Sequence, residues 1–289
     1  SASTLTSAAI TSDGLTLGSK NIALVSGSTV DLGSLTTTGT LSVTSSGAIT
    51  DSGALAITGA TTIAAGSGNN ITLDNTSNNF QGAVSITTGN NVTLVDAGDI
   101  DLGASTVSGT YAVTATSGDI TDSGTLTITG AATFKTGADG SNIVLDSSSN
   151  AYSAAVTMIA DAGGEDFGNI TFVDSAAIDF ATSASSNGDL YINSSTDGTV
   201  GGNLSVTATT GNITDTVALA VTGTSSFTTS ASNGTITLNT SINALTGAVT
   251  LSTTGSSGNA TIDNGTTALN IAASTIGGNL TVTAGDSIT

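Results

Sequence analysis

The feature that most constrains this chain is its resemblance to itself. Ile49-Thr50-Asp51, Ile120-Thr121-Asp122 and Ile213-Thr214-Asp215 head three successive blocks, and Ile288-Thr289 opens a fourth, at uneven spacings of which the second is the longest. In each block a glycine (Gly59, Gly130 or Gly223) is followed four residues later by a large apolar residue, Ile63, Phe134 or Phe227. An Ile-x-Leu-Asp/Asn step follows, beginning at Ile71, Ile143 and Ile236. It leads without a gap to Asn78, Asn150 and Asn243, to Phe80, Tyr152 and Leu245, and to Val84, Val156 and Val249. Upstream, Asn21 to Gly39 matches Asn91 to Gly109 at a constant offset. A recurrence of this kind marks a chain built by stacking one unit on the next.

The unit itself reads as β-structure. Runs such as Leu41-Ser42-Val43-Thr44 and Ile71-Thr72-Leu73 alternate aliphatic with small polar residues and are separated by Gly, Asn, Asp and Ser. Such short strands are unstable as isolated hairpins, but stacked coils pair each with its equivalent above and below and bury an aliphatic column. The expectation is an all-β, right-handed parallel β-helix (β-solenoid) with about three short strands per coil and about 13 coils. At about 4.8 Å per coil it would extend roughly 60 Å. Residues 1–289 are read as one continuous repeat segment with blocks beginning near 39, 110 and 203. Dividing a block at Gly39, Gly82 and Gly109 gives three coils, and the longer second block carries an added coil or enlarged loops within 155–202. Val43, Ile57, Ile63, Leu73, Val84, Leu94 and Leu102 are expected to point inward, and Phe80, Tyr111, Phe134, Tyr152 and Phe227 to plug the core. A β-sandwich would show similar alternation, but not the same turn chemistry in block after block.

Charge narrows the partners. The formal net charge is −19, from 21 acidic residues against Lys20 and Lys135, so phosphate backbones and anionic lipids are repelled. No apolar run approaches the roughly 18 residues of a membrane-spanning helix, so neither nucleic acid nor membrane insertion is expected. Histidine and cysteine are absent, which leaves carboxylates as the acid–base groups near neutrality. No secretion signal opens the chain, so one is expected outside it or removed.

The pattern Gly-x-Ile-Thr-Asp-Ser-Gly-x-Leu-x-Ile-Thr-Gly, from Gly47 to Gly59 and again up to Gly130, is followed by Asn-Ile-x-Leu-Asp and Gly-x-Leu-x-Val-Thr-Ala. In repeat style it resembles the filamentous-haemagglutinin-like exoproteins, giant bacterial surface adhesins, many exported by two-partner secretion. The resemblance implies an extracellular β-helical shaft. The N-terminal secretion domain of such exoproteins and a non-repetitive tip are not seen in this sequence.

Candidate sites are sparse. Asp99 with Asp101, and Asp119 with Asp122, could pair carboxylates as in β-helical enzymes that cleave polysaccharides; their plainer role is as solvated turn residues, and no enzyme is expected. Asp161, Glu165 and Asp166, with Asn169, form the densest acidic stretch and are the calcium candidate. No other cofactor is called for. Asn78, Asn150 and Asn243 are read as turn formers whose amides bond nearby main chain. The expected function is a non-catalytic shaft of an adhesin or extracellular fibre, on the bacterial cell surface or secreted, mediating cell-surface or biofilm attachment. Its partners would be other copies or flanking repeats end to end, and cell-surface or matrix glycans. The alternatives are a self-assembling filament subunit and a polysaccharide-binding or polysaccharide-cleaving β-helix.

Overall fold

The structure is a computed structural model that describes residues 3–7, 10–11, 15–16, 21–160, 168–181, 189–192 and 199–289. It divides into two compact units, Ser1–Gly137 and Ala138–Thr289. Each is a right-handed parallel β-solenoid with no helix among the described residues, carrying about three strands per coil.

In the first unit two long faces alternate along the chain. One stacks Ile22–Ser26, Leu41–Ser45, Thr61–Ala64, Val84–Thr88, Ile100–Leu102 and Ile120–Asp122 in parallel. The other stacks Val30–Asp31, Ile49–Thr50, Ile71–Leu73, Val92–Asp96, Tyr111–Ala115 and Ala132–Thr136. The register keeps apolar residue on apolar residue: Ile71 pairs with Ile49 and with Val92, and Leu73 with Leu94. Alternation then sends every second side chain inward, and all seven residues expected to point inward are at most 1% exposed. The five expected ring plugs are buried too, and Tyr111 meets Phe134 of the next coil edge to face, with centroids 5.9 Å apart.

The third strand of each coil is short and changes sides. Leu35–Thr37, Leu55–Ile57 and Asn79–Phe80 form a small sheet at the edge where the chain leaves the second face for the first. The next short strands, Ser105–Val107 and Leu126–Ile128, lie where it leaves the first face for the second. Between them, Val92–Asp96 passes straight to Ile100–Leu102 through the tight turn Ala97-Gly98-Asp99, so one coil lacks a short strand.

A block is therefore three and a half coils, which corrects the division into three. The block that runs from Ile49 up to Ile120 contains seven long strands, an odd number, so the equivalent motif at Ile120 lands on the opposite face. Sequence-equivalent positions are thus not one structural position. The second unit does the same independently. There Ile143–Leu145 stacks with Ile170–Asp174 and Leu204–Ala208, whereas its sequence counterpart Ile236–Leu238 belongs to the other face, with Ile213–Asp215 and Ala260–Asp263.

The added length of the second block includes one inserted strand. Asp189–Ile192 lies between Val156–Ala160 and Ile178–Phe180, with Leu190 registered to Val156 on one side and Phe180 on the other. One glycine column fixes how closely coils approach. Gly168, Gly202, Gly223 and Gly247 stack at the entry to the long strands, and a Cβ on Gly223 would lie 2.4 Å from the Gly202 carbonyl oxygen. No L side chain fits there without moving backbone.

Candidate functional site

The side chains that carry chemistry gather at the corners where a short sheet begins or ends. In the first unit, Asn78 is fully buried and Asp51 is 7% exposed. Asn78 Nδ2 donates to Asp51 Oδ2 at 2.6 Å, and Asn78 Oδ1 accepts the Leu55 N–H of the preceding coil at 2.8 Å. Asp51 Oδ1 also accepts the Asp74 N–H at 3.0 Å. The second unit repeats the set: Asn243 Nδ2 to Asp215 Oδ2 at 2.6 Å, Leu219 N–H to Asn243 Oδ1 at 2.7 Å, and Asn239 N–H to Asp215 Oδ1 at 2.8 Å. These asparagines do bond main chain, as expected, but across coils rather than within a turn. Asn233 is the residue other than glycine with positive φ among those described.

Three short strands, Asn79–Phe80, Ala151–Tyr152 and Ala244–Leu245, each leave an N–H at the corner, and a side chain from the following coil takes it. Asp96 Oδ2 accepts the Phe80 N–H at 2.7 Å while its Oδ1 closes the turn on Gly98 N–H at 2.7 Å. Asp174 Oδ1 accepts the Tyr152 N–H at 3.3 Å and that of Ala176 at 3.2 Å. Asn264 Oδ1 accepts the Leu245 N–H at 2.7 Å. Burial pushes the Asp51, Asp96 and Asp174 carboxyls above the ordinary carboxylate range, Asp174 to about 6, because N–H bonds only partly replace lost water. Sequence reasoning missed this role. Its signal was present, since each Ile-Thr-Asp aspartate precedes its block's buried asparagine by a nearly constant interval, Asp51 to Asn78, Asp122 to Asn150 and Asp215 to Asn243.

A second set of asparagines lies outside, at the residue before several of the long strands. In the second unit Asn142 Oδ1 accepts Asn169 N–H at 2.9 Å, Asn169 Oδ1 accepts Asn203 N–H at 2.8 Å, and Asn203 Oδ1 accepts Thr224 N–H at 2.8 Å. This exposed ladder ties successive coils together, and where Ser or Thr follows at the second strand position it yields Asn-x-Ser/Thr triplets such as Asn169-Ile170-Thr171 and Asn203-Leu204-Ser205.

The structure brings Asp99 and Asp101 together at a notch of about 290 Å³ under the last strand of the first short sheet. Asn79, Phe80 and Gln81 form its roof, and Asp99, Ile100, Asp101 and Thr121 complete the lining. The notch exists because the coil below has the tight turn where the coil above has a strand. Asp99 Oδ1 accepts the Asp119 N–H at 2.8 Å, while Asp101 Oδ1 is buried without a hydrogen-bond partner. Phe80 is 2% exposed and offers no open ring to a sugar. Asp122 ends the strand Ile120–Asp122, half-buried, away from this lining. The calcium candidates Asp161, Glu165 and Asp166 lie outside the described residues; among the described residues no three acidic side chains cluster as metal ligands.

Fold and corners together define a repeat β-solenoid whose recurring polar residues serve the stack itself. The chain belongs to the family described as Repeats of unknown function (DUF5649), which matches residues 19–87, 89–159, 167–252 and 257–289. The first two matched segments are offset from each other just as Asn21 is from Asn91. No curated protein sequence and no solved structure matches the chain.

Proposed function

We propose that this chain is a non-catalytic structural shaft of a large secreted bacterial adhesin or extracellular fibre. One observation carries the reading. The described side chains that recur from block to block point into the core or bond the main chain of a neighbouring coil, so repetition is spent on extending the stack. The resemblance to filamentous-haemagglutinin-like repeats supplies the extracellular, surface-attached setting and suggests flanking repeats of the same kind as end-to-end partners. Strong negative charge keeps such a surface soluble, and with Lys20 and Lys135 as its tryptic sites the chain suits a protease-rich exterior. The notch with its two aspartates favours one second reading, a polysaccharide-binding β-helix.

Electron microscopy of the purified chain at neutral pH, with and without a calcium chelator, tests the shaft. Thin particles of uniform width are expected, either isolated or joined into fibres, the latter pointing to a filament subunit. Compact globules overturn the proposal. Retention on a polysaccharide column, lost in Asp101→Asn, would replace it with the second reading.

A further inference from the structure

Asp174 and Asn264 play the same part on opposite faces of the second unit, each accepting the N–H of the second residue of a short strand, Ala151–Tyr152 or Ala244–Leu245, from the coil that follows. Asn264 is fully satisfied: besides accepting from Leu245, its Nδ2 donates to Leu245 O at 3.1 Å and Ala268 O at 2.8 Å. Asp174 is 2% exposed and receives only N–H groups. The elements packed against it bring no cation. The preceding coil presents the main chain of Asn150, bonded by Ser175 N–H, the phenol of Tyr152 and, one residue past the paired strand Ile143–Leu145, the exposed carboxyl of Asp146, a further anion. The following coil places Ala208 in register with it, and Thr209 N–H bonds its carbonyl. A buried anion held only by N–H dipoles is a costly way to close a corner.

We propose that the Asp174 corner is an acid-responsive lock, in which proton uptake by the carboxyl removes the buried charge from the corner that joins the short strand Ala151–Tyr152 to the next coil, while the Asn264 corner is locked at every pH. Protonation leaves Oδ1 free to accept both N–H bonds and places the proton on Oδ2. Asp96 makes a second lock in the first unit, where the like charge of Asp99 pushes the same way as burial. The folded chain binds the proton more tightly than the unfolded chain. Stability therefore rises as pH falls from above about 6 towards 3.8, below which the unfolded aspartate is protonated too and the gain ends.

The test is thermal unfolding followed by circular dichroism at pH 4.5 and 7.5, in about 0.5 M salt to screen repulsion among exposed carboxylates. The intact chain is expected to melt several degrees higher at pH 4.5. Asp174→Asn should raise the melting temperature at pH 7.5 and shrink that gap. Asn264→Asp should lower it at pH 7.5 and widen the gap. A gap unchanged by Asp174→Asn, or shrunk as much by the exposed control Asp139→Asn, overturns the proposal. Should Asn264→Asp not fold, carboxyl-carbon NMR of the intact chain decides: Asp174 titrating near 6 supports the lock, and titration near 4 removes it.

Discussion

The Asp51–Asn78 corner of the first unit and the Asp215–Asn243 corner of the second are the same device with different fillings. Four hydrogen bonds are shared, with nearly equal lengths in the two corners: 2.6 and 2.6, 2.8 and 2.7, 3.0 and 2.8 Å, and, from the N–H of Asn75 or Thr240 to the aspartate Oδ2, 3.4 and 3.3 Å. Beyond these bonds the corners diverge. The next inward residue is Phe80 in one and Leu245 in the other, and the cap beyond is a carboxylate, Asp96, in one and an amide, Asn264, in the other. The invariant requirement is that the main-chain N–H groups around the short strands find acceptors. Filler volume and cap charge adjust around it.

The largest effect should come from emptying the larger corner. Phe80→Ala removes a ring that is 2% exposed and is expected to cost about 3–5 kcal/mol, against about 2–4 for Leu245→Ala, read by chemical denaturation. Equal costs would mean that Phe80 is poorly packed and that the notch below it already relieves the corner. Next come Asn78→Ala and Asn243→Ala, about 2–3 kcal/mol each, since either leaves a main-chain N–H and a carboxylate in the corner without their partner. If one costs much less than the other, the corners are not the same device.

Much of this fold was legible. Alternation picked the inward residues, because each face strand has a buried side and a solvated side with period two, and the block repeat implied stacking. The half-coil was not read, although a count of strands contains it. Motif similarity identifies which strands succeed one another, and is silent on which face a strand occupies. The seven long strands of the block from Ile49 to Ile120 decide that by parity. The corner aspartates escaped for a different reason. An aspartate after Ile-Thr looks like a solvated strand end, and its partner, Asn78 for Asp51, is a full coil away and visible only once coils are stacked. The notch has the same origin, since Asp99 and Asp101 meet Asn79 and Gln81 only where the short sheet changes edges.

The smallest expected effect sharpens the comparison most. Phe80→Leu gives the first corner the filler of the second while leaving every corner hydrogen bond in place. A simple loss of volume would cost about 1–1.5 kcal/mol. The second unit, however, shows a leucine working at this position with an amide cap, so the double variant Phe80→Leu with Asp96→Asn asks whether filler and cap were chosen together. The carboxylate takes Phe80 N–H and Gly98 N–H on separate oxygens, so in the single variant Asp96→Asn the amide must turn to accept both on one oxygen, as Asp174 Oδ1 does, or give up one of them. If leucine lets the amide settle as Asn264 does, the double variant is more stable than the sum of the singles by about 0.5–1 kcal/mol in a double-mutant cycle at pH 7.5. Strict additivity would mean that filler and cap answer to separate demands, the core and the sheet end, and that the corners differ by drift in two independent places.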